Sequence, residues 1–397
     1  MNHKNILPRF IAGNRGDISS RWGVINAFAN EGIPLPPVYS KYPKELPKDY
    51  QYIFEPGPFR NLLWKGIGRS VIKEANTIIW TPGLDFQDDS SRVRLLFHYV
   101  LFKRFKIHGL KIISLFQGAG PITTSYGKRL TRKVMELVDL MVARDPESAK
   151  LITDISPNAN VIVGHDGIFL PGFVRIVEEN QYELTELNTE KLLIGFNIRL
   201  WFHFQKSILP YNLNKKGYQK RAAPKMEELV DSSVIYIKQL REKFDARVIL
   251  ISEYIKGVQA WEDDTLWLRK IKDQLIDDED VILADPSMDM YRFFYLMSEL
   301  DFMVGMRLHA VLIALRFGVP SLSVSYTNKC RDIMGHLGLK NNVVDVESFI
   351  ETPELLMEKT EQILSRLEIN REITKERVSL AINENTKIFK TLFSKIR

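Results

Sequence analysis

The sequence predicts an α/β protein made of two Rossmann-like domains facing a cleft, with a helical C-terminal tail. Three observations carry this. Short β-branched apolar runs recur, each followed by a polar or glycine turn and then a helical pattern. The alternation restarts after an acidic, aperiodic stretch at 171–190, FVRIVEENQYELTELNTE being most of it. The chain of 397 residues is also too long for one comfortable core, so two domains of roughly 150–200 residues are expected. The boundaries fall at 1–175 for the N-terminal domain, 190–350 for the C-terminal domain and 351–397 for the tail helices.

In the first half, IIWTPG (78–83), KIISLFQGAG (111–120), DLMVARD (139–145) and NVIVGHD (160–166) read as strands running into loops. RWGVINAFANEG (21–32) and PESAKLITDI (146–155) read as helices, the latter opening on proline at a favoured first-turn position. In the second half, KLLIGFNIRL (191–200), ARVILIS (246–252), VILADP (281–286), DFMVG (301–305) and PSLSVSY (320–326) are strands. MEELVDSSVIYIKQLREKF (226–244) is a helix whose Leu229, Val230, Val234, Ile237 and Leu240 share a face. YRFFYLMSEL (291–300) is another, and the tail is helical from about 352.

Composition narrows the class. With 45% hydrophobic and 26% charged residues the chain reads as an ordinary globular protein. It has no run of about 18 uncharged apolar residues, so no membrane span is expected. Its start, MNHKNILPRFIAGNRGD, lacks the apolar stretch of a secretory signal. The single cysteine, Cys330, fits a reducing compartment, and a cytoplasmic location is expected. The net charge of +6 favours anionic partners. Its densest cluster, FKRFKIHGLK (102–111), reads as a solvated helix end or as peripheral contact with the inner face of a membrane. No nucleic-acid motif accompanies it, so nucleic acid is not an expected partner.

The seam DFMVGMRLHAVLIALRFGVP (301–320) is the most informative stretch. A strand ends at Gly305, a helix begins almost at once, and Gly318 and Pro320 stop it. Arg307 and His309 therefore stand at a strand-to-helix turn, where ligands of open α/β sheets bind. Helix N-terminal N–H groups favour an anion there, and an arginine fork can grip phosphate or carboxylate. The plain alternative is a solvent-facing Arg307 and a packed His309. Lys329 follows the next strand, in SVSYTNKC (323–330).

The first half repeats the theme. AGNRGDISSRWG (12–23) reads as a glycine turn, with Asn14 and Gly16 in it and Asp17 near the helix start. QGAGPI (117–122) is a second turn, where Gly118 and Gly120 allow close backbone approach to a ligand. ARDPES (143–148) places Arg144 at a strand end, with pairing to Asp145 or Glu147 as the bland reading. TPGLDFQDD (81–89) ends a strand in carboxylates.

Taken together, GNRGDISS, TPGLDFQD, QGAGPI, ARDPESAKLI, DFMVGMRLHAVLIALRFGVPSLSVSYTNK and GHLGL resemble the polysaccharide pyruvyltransferase family over about residues 11–339. The specific block is VGMRLHA with GVP and SYTNK after it. The resemblance implies a GT-B-like fold and transfer of the enolpyruvyl carbons of phosphoenolpyruvate (PEP) onto two sugar hydroxyls, giving a cyclic ketal and phosphate in cell-surface polysaccharide synthesis. It places Arg144, His309 and Lys329 on PEP, with Arg307 beside them. His309 becomes the general acid, since imidazole titrates near neutrality. Asp17 is the general base, with Asp88 and Asp166 as rivals. TPG (81–83) departs from a turn often richer in glycine, which bears on the acceptor more than the donor.

No cofactor is expected, PEP being a co-substrate. No metal is expected either, because DDED (277–280) reads as a solvated loop and no histidine–carboxylate spacing suggests a site. The acceptor would be a saccharide, carried on a lipid in one reading. Two alternatives remain: a GT-B glycosyltransferase using a nucleotide sugar, and a non-catalytic sugar-binding relative.

Overall fold

The computed structural model describes residues 5–10, 14–36, 38–40, 75–88, 92–173, 177, 182–201, 215–255 and 263–393. The chain divides into two compact units. The first holds residues 1–12, 17–173 and 381–397, and the second holds 13–16 and 174–380. The tail expected as one piece over 351–397 is thus shared between the units, and residues 13–16 belong with the second. Residues 174–176 and 178–181 of the expected connection at 171–190 lie outside the described residues.

In the first unit a parallel sheet runs in the order β2-β1-β3-β5-β6-β7, with β4 also on β5. Its strands are β1 (Asn5–Phe10), β2 (Val38–Ser40), β3 (Thr77–Trp80), β4 (Gly83–Phe86), β5 (Lys111–Ala119), β6 (Leu140–Ala143) and β7 (Val161–Val163). TPGLDF is therefore not a loop. Pro82, with no N–H for the ladder, interrupts the run, and Gly83–Phe86 then pairs with the far half of β5. Residues read as a glycine turn at 15–20 are helical: α1 spans Arg15–Asn30. The remaining helices are α2 (Arg92–Ile107), α3 (Ser125–Met135) and α4 (Pro146–Ile155). Asp145 caps α4 by accepting from Ser148 N at 2.6 Å, ahead of Pro146 in the first turn. A core around Ile78, Trp80, Phe102, Phe105, Ile112 and Met141 joins sheet and helices.

The second unit has the sheet order β10-β9-β8-β11-β12-β13, again parallel throughout. Its strands are β8 (Leu192–Asn197), β9 (Ala246–Leu250), β10 (Val281–Leu283), β11 (Phe302–Gly305), β12 (Ser321–Ser325) and β13 (Val343–Asp345). The order reverses between β8 and β11, as in a doubly wound Rossmann sheet. Its helices are α5 (Lys215–Lys243), α6 (Thr265–Gln274), α7 (Met290–Ser298), α8 (Leu308–Arg316), α9 (Asn328–His336), α10 (Val346–Glu351) and α11 (Pro353–Leu364). α5 begins eleven residues before the expected 226 and carries Pro224 inside it. The long α12 (Leu367–Phe393) closes the chain, and its Phe389 and Phe393 pack on Phe28 of α1 in the first unit, with centroids at 4.9 and 5.0 Å. No helix among the described residues is long and apolar enough to cross a membrane.

Candidate functional site

In the second unit the reversal of strand order opens a crevice position beyond the ends of β8 and β11, and one buried amide organises it. Asn197 ends β8; its Oδ1 accepts from Arg307 N at 2.9 Å, while its Nδ2 donates to Ile251 O at 2.7 Å. Its carbonyl also takes the N–H of Met306 at 2.9 Å. The β11–α8 turn is thereby tied to the end of β8 and, through the same amide, to the residue that follows β9. Arg307 is only 5% exposed, and its Nε donates to Asp264 Oδ2 at 3.0 Å. The other Asp264 oxygen accepts from Ser252. Arg307 is therefore engaged inside the unit by a fully buried carboxylate rather than turned to solvent.

His309 follows in the first turn of α8, half-buried. Its ring lies on the backbone of Gly16: a Cβ built there would fall 2.2 Å from His309 Cβ and 2.7 Å from Nδ1. Gly16 thus has a steric reason to be glycine although it sits in a helix. Its neighbour Arg15 anchors this corner by donating to Pro286 O at 3.0 Å and Met288 O at 2.7 Å, with its guanidinium 4.5 Å above the Phe293 ring. Arg15 N also donates to Glu253 O at 2.9 Å. Lys329 is not in a loop but in the first turn of α9, beyond β12. The adjacent Cys330 is buried against Ser323 Oγ at 2.7 Å, and burial pushes its thiol up to about 11. Two helix N-termini, one bearing an imidazole and the other an ammonium, stand at one carboxyl edge of this sheet. The N-terminal N–H groups of a helix suit an anion.

The first unit has its own strand-end cluster. Arg144 follows β6; it is 5% exposed, and its Nη1 donates to Asp166 Oδ2 at 3.2 Å. Asp145 stands 3.9 Å from its Nε, which is buried without a hydrogen-bond partner. The pairing with Asp145 is thus present, and Asp166 adds a second, nearer carboxylate. Gly118, on β5 rather than in a turn, backs the guanidinium: a Cβ there would lie 2.8–3.0 Å from three of its atoms. β5 bulges at Phe116, where φ is 47°, and this shift brings Gln117 against Ala143. Gly120, with φ 88°, makes the actual turn.

Asp166 is held in turn. It accepts from Ser20 Oγ and from Ile168 N at 3.1 Å. Asn385 of α12, fully buried, accepts from His165 N at 2.8 Å and donates to Asp166 O at 3.0 Å. Asp88, the other rival base, is occupied too. It accepts from Thr124 N at 2.8 Å, Thr124 Oγ at 2.6 Å and Thr123 N at 3.0 Å. Burial alone would raise its carboxyl, but these hydrogen bonds outweigh it and hold the group below the usual range. Asp17 lies half-buried in the first turn of α1. In DDED, Asp278 and Asp280 are not merely solvated: Arg241 reaches both at 2.9 Å.

Sequence reading missed Asn197, Asp264, Arg15 and Asn385. Asn197 had a local signal, a polar residue ending the apolar run LLIGFN. Asp264 had none, because its partner Arg307 is 43 positions away.

Two parallel, doubly wound sheets with cations gathered at strand ends define a GT-B-like α/β protein. Solved structures of UDP-N-acetylglucosamine 2-epimerases share this fold. One from Neisseria meningitidis, bound to UDP-GlcNAc, superposes with TM-score 0.54 at 13% identity, covering 98% of this chain and 100% of its own. A Listeria monocytogenes protein assigned to the same activity gives 0.59 at 11% identity, covering 99% and 97%. One from Methanocaldococcus jannaschii gives 0.53 at 13%, covering 88% and 91%. No curated protein matches. The family model described as polysaccharide pyruvyl transferase matches residues 14–328, and the chain belongs to that family.

Proposed function

We propose that the protein transfers the pyruvyl carbons of PEP to two hydroxyls of a saccharide as a cyclic ketal, in the synthesis of a cell-surface polysaccharide. The observation that carries the reading is the placement of His309. It stands at a helix N-terminus beside the point where strand order reverses, held on Gly16. PEP bears a phosphate of about −1.5 to −2 charges and a carboxylate, so it calls for cations and oriented N–H groups. Lys329 and Arg144 are assigned to these anionic groups. Arg307, bound to Asp264, is assigned to shaping the turn that presents His309.

In this scheme His309 gives a proton to the PEP methylene carbon, and the adjacent carbon takes on oxocarbenium character. The first sugar hydroxyl attacks it and passes its proton to Asp17. Phosphate leaves with its bridging oxygen, and the second hydroxyl closes the ring, its proton passing to the phosphate. Asp17, in the first turn of α1, is assigned the base role, while Asp166 accepts from Arg144 and Asp88 accepts from Thr123 and Thr124. We place the reaction at the inner face of a membrane, on a lipid-carried acceptor. Calorimetry tests the donor: PEP should bind, more tightly at low salt, with little heat from UDP- or GDP-sugars. Tight nucleotide-sugar binding without PEP binding would instead favour a glycosyltransferase.

A further inference from the structure

Charge along the chain is unevenly distributed. Between Ser90 and Met135 there are ten Lys and Arg residues and no Asp or Glu. The rest of the chain, with 45 basic and 49 acidic residues, is net −4. This stretch contains α2 and α3, which pack side by side over the core of the first unit. Leu96, Val100, Lys103 and Ile107 recur at helical spacing on the outward side of α2, opposite buried Leu95, Leu101 and Phe105. Leu96, Val100 and Ile107 are 42%, 49% and 74% exposed. Beside them, Lys133 of α3 sits 5.5 Å from the Tyr99 ring, and Lys128, Arg129 and the half-exposed Tyr126 extend the surface. Among the described residues, Lys103, Lys128, Arg129 and Lys133 have no carboxylate at ion-pair distance.

We propose that this α2–α3 face is a docking surface for an anionic lipid bilayer. It deepens the membrane placement above and is independent of the donor chemistry. Two features select a bilayer. Uncompensated cations match the negative surface potential of anionic lipid, while exposed aliphatic side chains on the same face suit the headgroup–acyl boundary. Those aliphatic groups have nothing to bury against on a phosphodiester backbone, which disfavours nucleic acid. A second copy of the chain would set like charges against like.

The test is flotation of the full chain with vesicles of phosphatidylcholine alone or mixed with phosphatidylglycerol. Wild type should partition onto the mixed vesicles, less at high salt, and not onto pure phosphatidylcholine. Lys103→Gln, Arg129→Gln and Lys133→Gln combined should lower partitioning about 100-fold. Val100→Ser with Ile107→Ser should also lower it, which adsorption by charge alone would not require. Thermal melts and phosphate release from PEP with a water-soluble acceptor should match wild type for both variants, so a failed donor assignment would show separately. Unchanged partitioning of either folded variant, or binding to duplex DNA without binding to vesicles, would overturn the proposal.

Discussion

Gly16 and His309 are locked together: the backbone of one is the platform for the imidazole of the other, with no room for a methyl group between them. The atom in the way is His309 Cβ at 2.2 Å, next to the α8 backbone, so the ring cannot simply rotate aside. Gly16→Ala should move His309, and displacement of a catalytic group by about 1 Å costs on the order of 100-fold in rate. Steady-state kinetics should show a fall in kcat of that size, despite the better helix propensity of alanine. Wild-type turnover by Gly16→Ala would contradict the contact.

A similar relationship holds in the first unit. Gly118→Ala would push the Arg144 guanidinium off β5, so it should reproduce much of the defect of Arg144→Ala. Loss of one oriented charged contact is worth roughly 2–4 kcal/mol, or about a 30- to 1,000-fold drop in kcat/KM. Varied-PEP kinetics on both variants checks this. An Arg144→Ala protein as active as wild type would remove Arg144 from the reaction.

Asn385 should matter for stability more than for chemistry. Its side chain satisfies the backbone of His165 and Asp166, and Asn385→Ala would strand those groups in the interior. Denaturant unfolding should show a loss of about 2–3 kcal/mol. If Asp166 positions Arg144 as the geometry indicates, Asp166→Asn should raise KM for PEP more than it lowers kcat. A uniform loss in both, tracking only the melting temperature, would reduce Asp166 to a structural role.

Asp88 sets an acid-side limit. Its carboxyl is depressed in the folded state, so its contribution is fully present above the unfolded value of about 3.9 and is lost as pH falls through the lower folded value. Stability should therefore decline below about pH 4, and Asp88→Asn should flatten that decline while lowering stability at neutral pH. Parallel acid titrations of wild type and Asp88→Asn would contradict this assignment.

Legibility followed sequence distance. β11, α8 and β12 are written locally: an apolar β-branched run, a helical apolar run, then Gly318 and Pro320. The strand-to-helix turn at His309 could be read from that order alone. The start of α1 could not, because two glycines and an Asn-Arg-Gly-Asp string signal a turn. Gly16 is glycine for a contact with a residue 293 positions away. The same holds for Arg307, whose cation looks available in the string GMRLHA but is taken up by Asp264, and for Arg144, which has the neighbouring Asp145 but whose nearer carboxylate, Asp166, comes from beyond β7. Periodicity and caps report on neighbours, whereas buried ion pairs report on tertiary contacts that no local pattern carries.

In the proposed reaction PEP is the donor and His309 its proton source. The most direct measurement is inorganic phosphate release from PEP across a panel of saccharide acceptors, by wild type and by His309→Ala, with a thermal melt of each. Wild type should release phosphate only with an acceptor, matched by a pyruvate ketal on that acceptor. A His309→Ala protein of unchanged melting temperature should lose about 30- to 1,000-fold of this activity. Wild-type turnover by well-folded His309→Ala, or the absence of phosphate release with every acceptor alongside turnover of a nucleotide sugar, would contradict the proposed reaction.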